Sequence, residues 1–121
     1  MRKPHILVCD DQVGIRNALR LILESSYTLD FGQDGREAVD YLRNKEADLL
    51  IMDIKMPQKN GIEALTEIKK MKPRQKILII TGYESYDVAS EAIRAGANDY
   101  LTKPFEREMV QQKVAELLSI V

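Results

Sequence analysis

A chain of 121 residues that is 45% hydrophobic and 31% charged can bury one real core, and it is not a disordered composition. Its 18 basic and 19 acidic side chains leave a net charge of -1, which gives no general electrostatic case for nucleic acid beyond a local basic patch. No apolar run is long enough to span a bilayer or to serve as a signal peptide, so a cytoplasmic protein without membrane contact is expected.

In chain order, Ile6 to Cys9 reads as a buried strand ending at two adjacent carboxylates, Asp10 and Asp11. Ile15, Leu19 and Ile22 then recur at helical spacing. Tyr27 to Phe31 is a second short strand. Asp34 and Glu37 have the spacing of a capping box, and Ala38, Val39 and Leu42 give the helix behind it an apolar face. Asp48 to Met52 is a third strand, broken off by Met56-Pro57, and Ile62, Leu65 and Ile68 mark a third helix. Lys76 to Ile80 is a fourth strand. Ser85 can cap a fourth helix that runs to about Ala95 and stops at Gly96. Asn98 to Leu101 is a fifth strand. Pro104 leads to a last helix striped by Val110, Val114, Leu117 and Leu118.

Five βα units follow. Nearly continuous apolar strands are those of a sheet covered on both faces, so the chain reads as one doubly wound α/β domain with a parallel sheet. In the flavodoxin-like strand order 2-1-3-4-5, ligands bind past the carboxyl ends of strands one and three. Asp10 and Asp11 stand there, with Asp53, then Thr81 and Gly82, then Thr102 and Lys103. Like carboxylates oppose each other's ionisation, so a positive partner is expected among them. Oxygen ligands alone select a hard cation, and Mg²⁺ is the usual intracellular one. Magnesium held by few carboxylates commonly shares phosphate oxygens, which Thr81 and Lys103 can also contact. Asp53, alone on the central strand, is the candidate for a phosphoryl-accepting carboxylate. Each residue has a plainer reading: Asp11 as a helix cap, Lys103 as a solvated flank, Cys9 as a buried structural thiol. The lone His5 lies at the far end of the first strand, with no cluster to make a soft-metal site. No dinucleotide or P-loop fingerprint is present.

The segments "ILVCDD" (6–11), "LLIMDIKMPQKNG" (49–61), "ILIITGY" (77–83) and "AIRAGANDYLTKPF" (92–105) resemble a response-regulator receiver domain over essentially the whole chain, 1–121. The resemblance implies Asp53 as the phosphorylated aspartate, Asp11 as a direct Mg²⁺ ligand and Asp10 as one acting mainly through water. It implies the backbone carbonyl of Lys55 as the third protein ligand. Thr81 would be the switch hydroxyl, Lys103 the phosphate-contacting lysine and Tyr100 the aromatic switch. Tyr100 also reads as a core aromatic with its hydroxyl at the surface. The Lys103–Pro104 bond resembles a usually cis peptide. Gly61 and Asn60 resemble the turn after the acceptor. Gly82 would leave access to the acceptor, and Lys55 and Tyr83 would flank the phosphoryl group. "DDQVGIR" (10–16) most resembles small sporulation phosphorelay regulators. The implied partners are a histidine kinase or histidine phosphotransfer protein. An effector or second copy would be engaged through the fourth helix, fifth strand and fifth helix. The alternatives are a constitutively binding pseudo-receiver and a small metal-assisted phosphohydrolase with an Asp nucleophile.

Overall fold

The computed structural model describes residues 2–55, 60–82 and 86–119. The elements alternate as β1 (His5–Cys9), α1 (Val13–Leu23), β2 (Thr28–Gly32), α2 (Gly35–Asn44), β3 (Leu49–Asp53), α3 (Gly61–Met71), β4 (Ile77–Thr81), α4 (Tyr86–Arg94), β5 (Asp99–Thr102) and α5 (Arg107–Leu118). All strand pairs are parallel, in the order β2-β1-β3-β4-β5. The expected doubly wound sheet is therefore present, with β1 beside β3 at the reversal of strand order.

The two-residue period of the strands sorts the apolar side chains into two cores. Leu7, Leu50, Met52, Ile77 and Ile79 pack on one face with Val39 and Leu42 of α2, Leu65 and Ile68 of α3, and Ala92 of α4. Ile6, Val8, Leu49, Ile51, Leu78 and Ile80 pack on the other with Leu19 and Leu23 of α1 and Val110 and Val114 of α5. Each fully buried Leu or Ile contributes about 1.5–3 kcal/mol of transfer free energy, so the central strands anchor the molecule. A charge placed at Leu50 or Ile51 would break one of the cores.

Local signals explain several boundaries. Asp34 caps α2 by accepting from Glu37 N at 2.8 Å, but Glu37 accepts from Gln33 N rather than from the cap residue. The capping box is thus half formed, with its return bond displaced by one residue. Asn60 is the N-cap of α3 and accepts from Glu63 N at 2.9 Å. Gly61 is required by proximity: a Cβ there would lie 2.5 Å from Ile54 Cα and 2.7 Å from Asp53 O. Gly96, at φ 120°, ends α4 as expected, with Ala97 N bonded to Ala92 O and Gly96 N to Ile93 O in the Schellman pattern. The break expected at Met56-Pro57 and the cap expected at Ser85 lie outside the described residues.

Four strands run one residue further at their carboxyl ends than apolarity alone indicates. Gly32, Asp53, Thr81 and Thr102 all keep a partner in the ladder. His5 is also not solitary. At the amino end of the sheet its Nε2 lies 3.2 Å from Asp30 Oδ2 and 3.0 Å from Tyr41 Oη, and the Tyr41 hydroxyl donates to Asp30 at 2.7 Å. Burial, followed by the Asp30 bond, pushes the Tyr41 phenol well above its ordinary range. This group ties β1, β2 and α2 together. Among the described residues, no helix is long and apolar enough to cross a membrane.

Candidate functional site

The carboxyl ends of β1, β3, β4 and β5 meet at one rim because the strands are parallel and adjacent in that order. Asp53 is the last residue of β3, and its oxygen lies with those of Asp10 and Asp11 within 4.8 Å of one another. Asp10 and Asp53 are only 2% and 5% exposed, whereas Asp11 faces solvent. Lys103, just past β5, sends its ammonium between the two buried carboxylates, 2.9 Å from Asp10 Oδ2 and 2.8 Å from Asp53 Oδ2. Its side chain is 14% exposed, so the solvated-flank reading fails: the two carboxylates draw the lysine inward. Its backbone is fixed too, with Lys103 N donating to Thr81 O at 2.8 Å ahead of a cis Lys103–Pro104 bond.

The acidic loop is tightly specified. Asp10 N donates to Gly32 O at 3.1 Å, and Asp10 Oδ1 accepts from Gln12 N at 2.9 Å. The N-cap of α1 is Gln12, with no side-chain cap bond, so Asp11 does not serve as a helix cap. Asp53 is held from its second oxygen, Oδ1, by Lys55 N at 3.1 Å. Burial raises the Asp10 pKa above its ordinary 3.8, with the Asp53 charge adding to this and Gln12 N–H and Lys103 opposing it. For Lys103, burial pulls the ammonium down, but hydrogen bonds and charge from Asp53 and Asp10 outweigh it, and the net shift is upward.

Three carboxylate oxygens within 4.8 Å of one another, with one ammonium beside them among the described residues, suit a hard divalent cation. Cys9 is buried and its thiol is pushed up to about 12 by burial first and then by the charges of Glu37 and Asp34, which makes it the inert structural thiol expected. Thr81 is fully buried at the end of β4, and Lys55 and Gly82 are exposed beside the rim. Open space surrounds the position a Cβ would take at Gly82, so no backbone or side-chain neighbour demands a glycine there. Tyr100 is 39% exposed on the edge strand β5 and is not a core aromatic. Tyr83 lies outside the described residues.

Two residues at the site were not singled out by the sequence reading. Gln12 Oε1 lies 3.4 Å from Lys103 Nζ, and Arg16 Nη1 donates to Asp10 O at 2.7 Å. The only sequence signal for either was membership of the "DDQVGIR" stretch.

Residues 6–115 match the model of the response regulator receiver domain. The chain is 36% identical over 115 residues to the chemotaxis protein CheY of Halobacterium salinarum, covering 94% of this chain and 96% of that protein. It is 38% identical to the transcriptional regulatory protein ZraR of Klebsiella oxytoca, covering 94% of this chain but 26% of that protein. Among solved structures, a CheY-like receiver domain protein from Methanospirillum hungatei superposes with a TM-score of 0.91 at 30% identity, covering 96% of this chain and 94% of that one. The match spans every strand that contributes to the acidic rim, and the chain therefore belongs to the response regulator receiver domain family.

Proposed function

We propose that the protein is a phosphoacceptor signalling domain that takes a phosphoryl group from a phosphohistidine onto Asp53. The observation that carries this reading is the Lys103 ammonium bridging Asp10 and Asp53, with three carboxylates gathered at the carboxyl ends of β1 and β3. In the transfer, the P–N bond to the donor imidazole breaks and a P–O bond to an Asp53 oxygen forms. The ring nitrogen leaves with the bonding electron pair. Asp11 and Asp53 would hold Mg²⁺ directly, with the Lys55 carbonyl, while Asp10 acts through water. Mg²⁺ supplies positive charge to the phosphoryl oxygens. Lys103 is already 2.8 Å from the acceptor carboxylate and keeps a cation beside a phosphoryl group that carries about -1.5 to -2 charges. Thr81, one strand over from Asp53, supplies a hydroxyl to the phosphoryl group, and Gly82 leaves the approach open.

Output would run through α4, β5 and α5, where Ile93, Tyr100 and Met109 are 43%, 39% and 49% exposed and offer apolar area to an effector or a second copy. Donors would be a histidine kinase or a histidine phosphotransfer protein. The "DDQVGIR" stretch supports a relay of the sporulation type, in which Asp53 passes phosphate on to another protein's histidine. The presence of every carboxylate at one rim favours phosphorylation over a pseudo-receiver role.

The test is intact mass after acetyl phosphate and Mg²⁺, with wild type and Asp53→Ala compared. One phosphoryl group on wild type and none on the variant is expected, and equal uptake by both would refute the acceptor. Incubation of the phosphoprotein with a histidine phosphotransfer protein then tests the relay.

A further inference from the structure

We infer that Arg16 is the positioning residue of the acidic loop: it fixes the Asp10–Asp11 peptide plane and thereby aims Asp11 at the cation. The inference deepens the proposed function and rests on its reading of the rim as a Mg²⁺ site. Asp10 follows the last residue of β1, and its carbonyl lies past the ladder, where no strand neighbour takes it. The Arg16 guanidinium reaches back from the first turn of α1 and donates to that carbonyl at 2.7 Å. This is shorter than the common N–H···O distance of about 2.9–3.0 Å, as fits a charged donor. Arg16 is itself anchored, since its N–H donates to Gln12 O at 3.1 Å, and its side chain is half-buried.

The neighbouring restraints show why this bond matters. Both Asp10 oxygens are engaged, by Gln12 N–H and by Lys103, so Asp10 is fixed by its side chain. Asp11 is exposed and takes no hydrogen bond or ion pair from the described residues. The direction of its side chain is set by its backbone. A planar peptide links the Asp10 carbonyl rigidly to the Asp11 nitrogen, so a donor that holds the carbonyl also sets where Asp11 starts. Groups that orient ligands in this way commonly govern metal affinity.

The alternative role predicts the opposite sign. Arg16 forms no ion pair among the described residues, so its charge near the rim repels a cation. A bystander arginine would therefore tighten Mg²⁺ binding when removed, whereas a positioning arginine would weaken it.

The experiment is calorimetric titration of the full chain with Mg²⁺, alongside thermal denaturation without metal. Arg16→Ala should bind Mg²⁺ roughly tenfold more weakly, the lower end of the usual loss for such partners. Arg16→Met keeps an aliphatic stem but no donor, and should weaken binding equally if the alanine variant folds poorly. Arg16→Lys retains one donor for the carbonyl and should recover part of the affinity. In acetyl phosphate uptake, the Mg²⁺ concentration for half-maximal rate should rise in Arg16→Ala and Arg16→Met while the rate at saturating Mg²⁺ is kept. Unchanged or tighter Mg²⁺ binding in a folded Arg16→Ala or Arg16→Met would overturn the inference. Absence of Mg²⁺ binding by wild type would instead overturn the metal reading beneath it.

Discussion

The substitution Asp10→Asn should stabilise the metal-free protein and reverse the order of stability once Mg²⁺ is added. At an effective dielectric of about 20, Lys103 at 2.9 Å attracts the Asp10 carboxylate by about 6 kcal/mol. Repulsion from Asp53, whose oxygen lies within 4.8 Å, costs about 3.5 kcal/mol, and the solvent-screened Asp11 adds about 1–2 kcal/mol. These pair terms nearly cancel. Burial of a carboxylate that is 2% exposed then decides the sign, since it costs several kcal/mol, offset in part by the Gln12 N–H. The burial cost less its offsets leaves a net cost of about 1–2 kcal/mol for the charge, and its sign agrees with the upward pKa shift of Asp10. An asparagine keeps an oxygen for Gln12 N–H and Lys103 keeps Asp53, while the asparagine NH₂, a donor in the place of Oδ2 beside the ammonium, takes back part of the gain. Asp10→Asn should therefore raise the Tm by about 3–8 °C in EDTA at pH 7. Mg²⁺ at a hundredfold excess over its Kd should stabilise wild type by about 2.7 kcal/mol and the variant by less, which inverts the order. The pH dependence has a definite sign. A folded pKa raised above 3.8 means that the contribution of Asp10 is fully present below that value and is lost as pH rises through the folded pKa. The advantage of the variant should thus shrink on acidification toward pH 4. A variant less stable than wild type in EDTA at pH 7, or an equal Mg²⁺ response in both, would refute the reasoning.

Lys103→Ala leaves two buried carboxylates without their cation and should cost about 3 kcal/mol in EDTA by chemical denaturation, with Mg²⁺ recovering most of it. In wild type the Lys103 contribution, with its pKa raised above 10.5, should hold below that pH and fade as pH rises through the folded value. Gly61→Ala should lower stability by about 2 kcal/mol or more, because its Cβ would meet Ile54 Cα at 2.5 Å and push α3 off the acceptor strand. An unchanged Tm would show that the close approach is not required. The aspartyl-phosphate should be long-lived: Lys55 and Tyr83 offer no carboxylate or amide to orient a water in line with phosphorus. Lys55→Asn or Tyr83→Ala should speed decay of the isolated phosphoprotein, and wild-type decay within seconds, unchanged by both, would end the idea.

The strand ends show what apolar patterning can and cannot locate. Periodicity found all five strands, because burial on both faces forces runs such as Leu49 to Met52 to be continuously apolar. It stopped one residue short at Asp53 and Thr81, where the backbone still pairs with Ile80 and Thr102 although the side chain is polar. That mismatch falls at the rim for a physical reason. A polar residue in the last ladder position has its backbone fixed by the sheet at the rim where the carboxylates gather, so the loss of apolarity itself points to the candidate site. The convergence of Asp10, Asp53 and Lys103 was legible for that reason, since topology alone brings strand ends together. The contacts of Arg16 and Gln12 were not. They depend on where α1 begins relative to the end of β1, and the recurrence of Ile15, Leu19 and Ile22 marks the apolar face of the helix without fixing its first turn at Val13. The plainer reading of Asp11 as a helix cap fails because α1 starts one residue later, with Gln12 as its N-cap and its N–H bonded to Asp10 Oδ1. Loop geometry of one or two residues therefore decides which carboxylate is spent on the backbone and which is left for a cation. Here the buried Asp10 is committed to Gln12 and Lys103, and the exposed Asp11 takes no hydrogen bond or ion pair among the described residues.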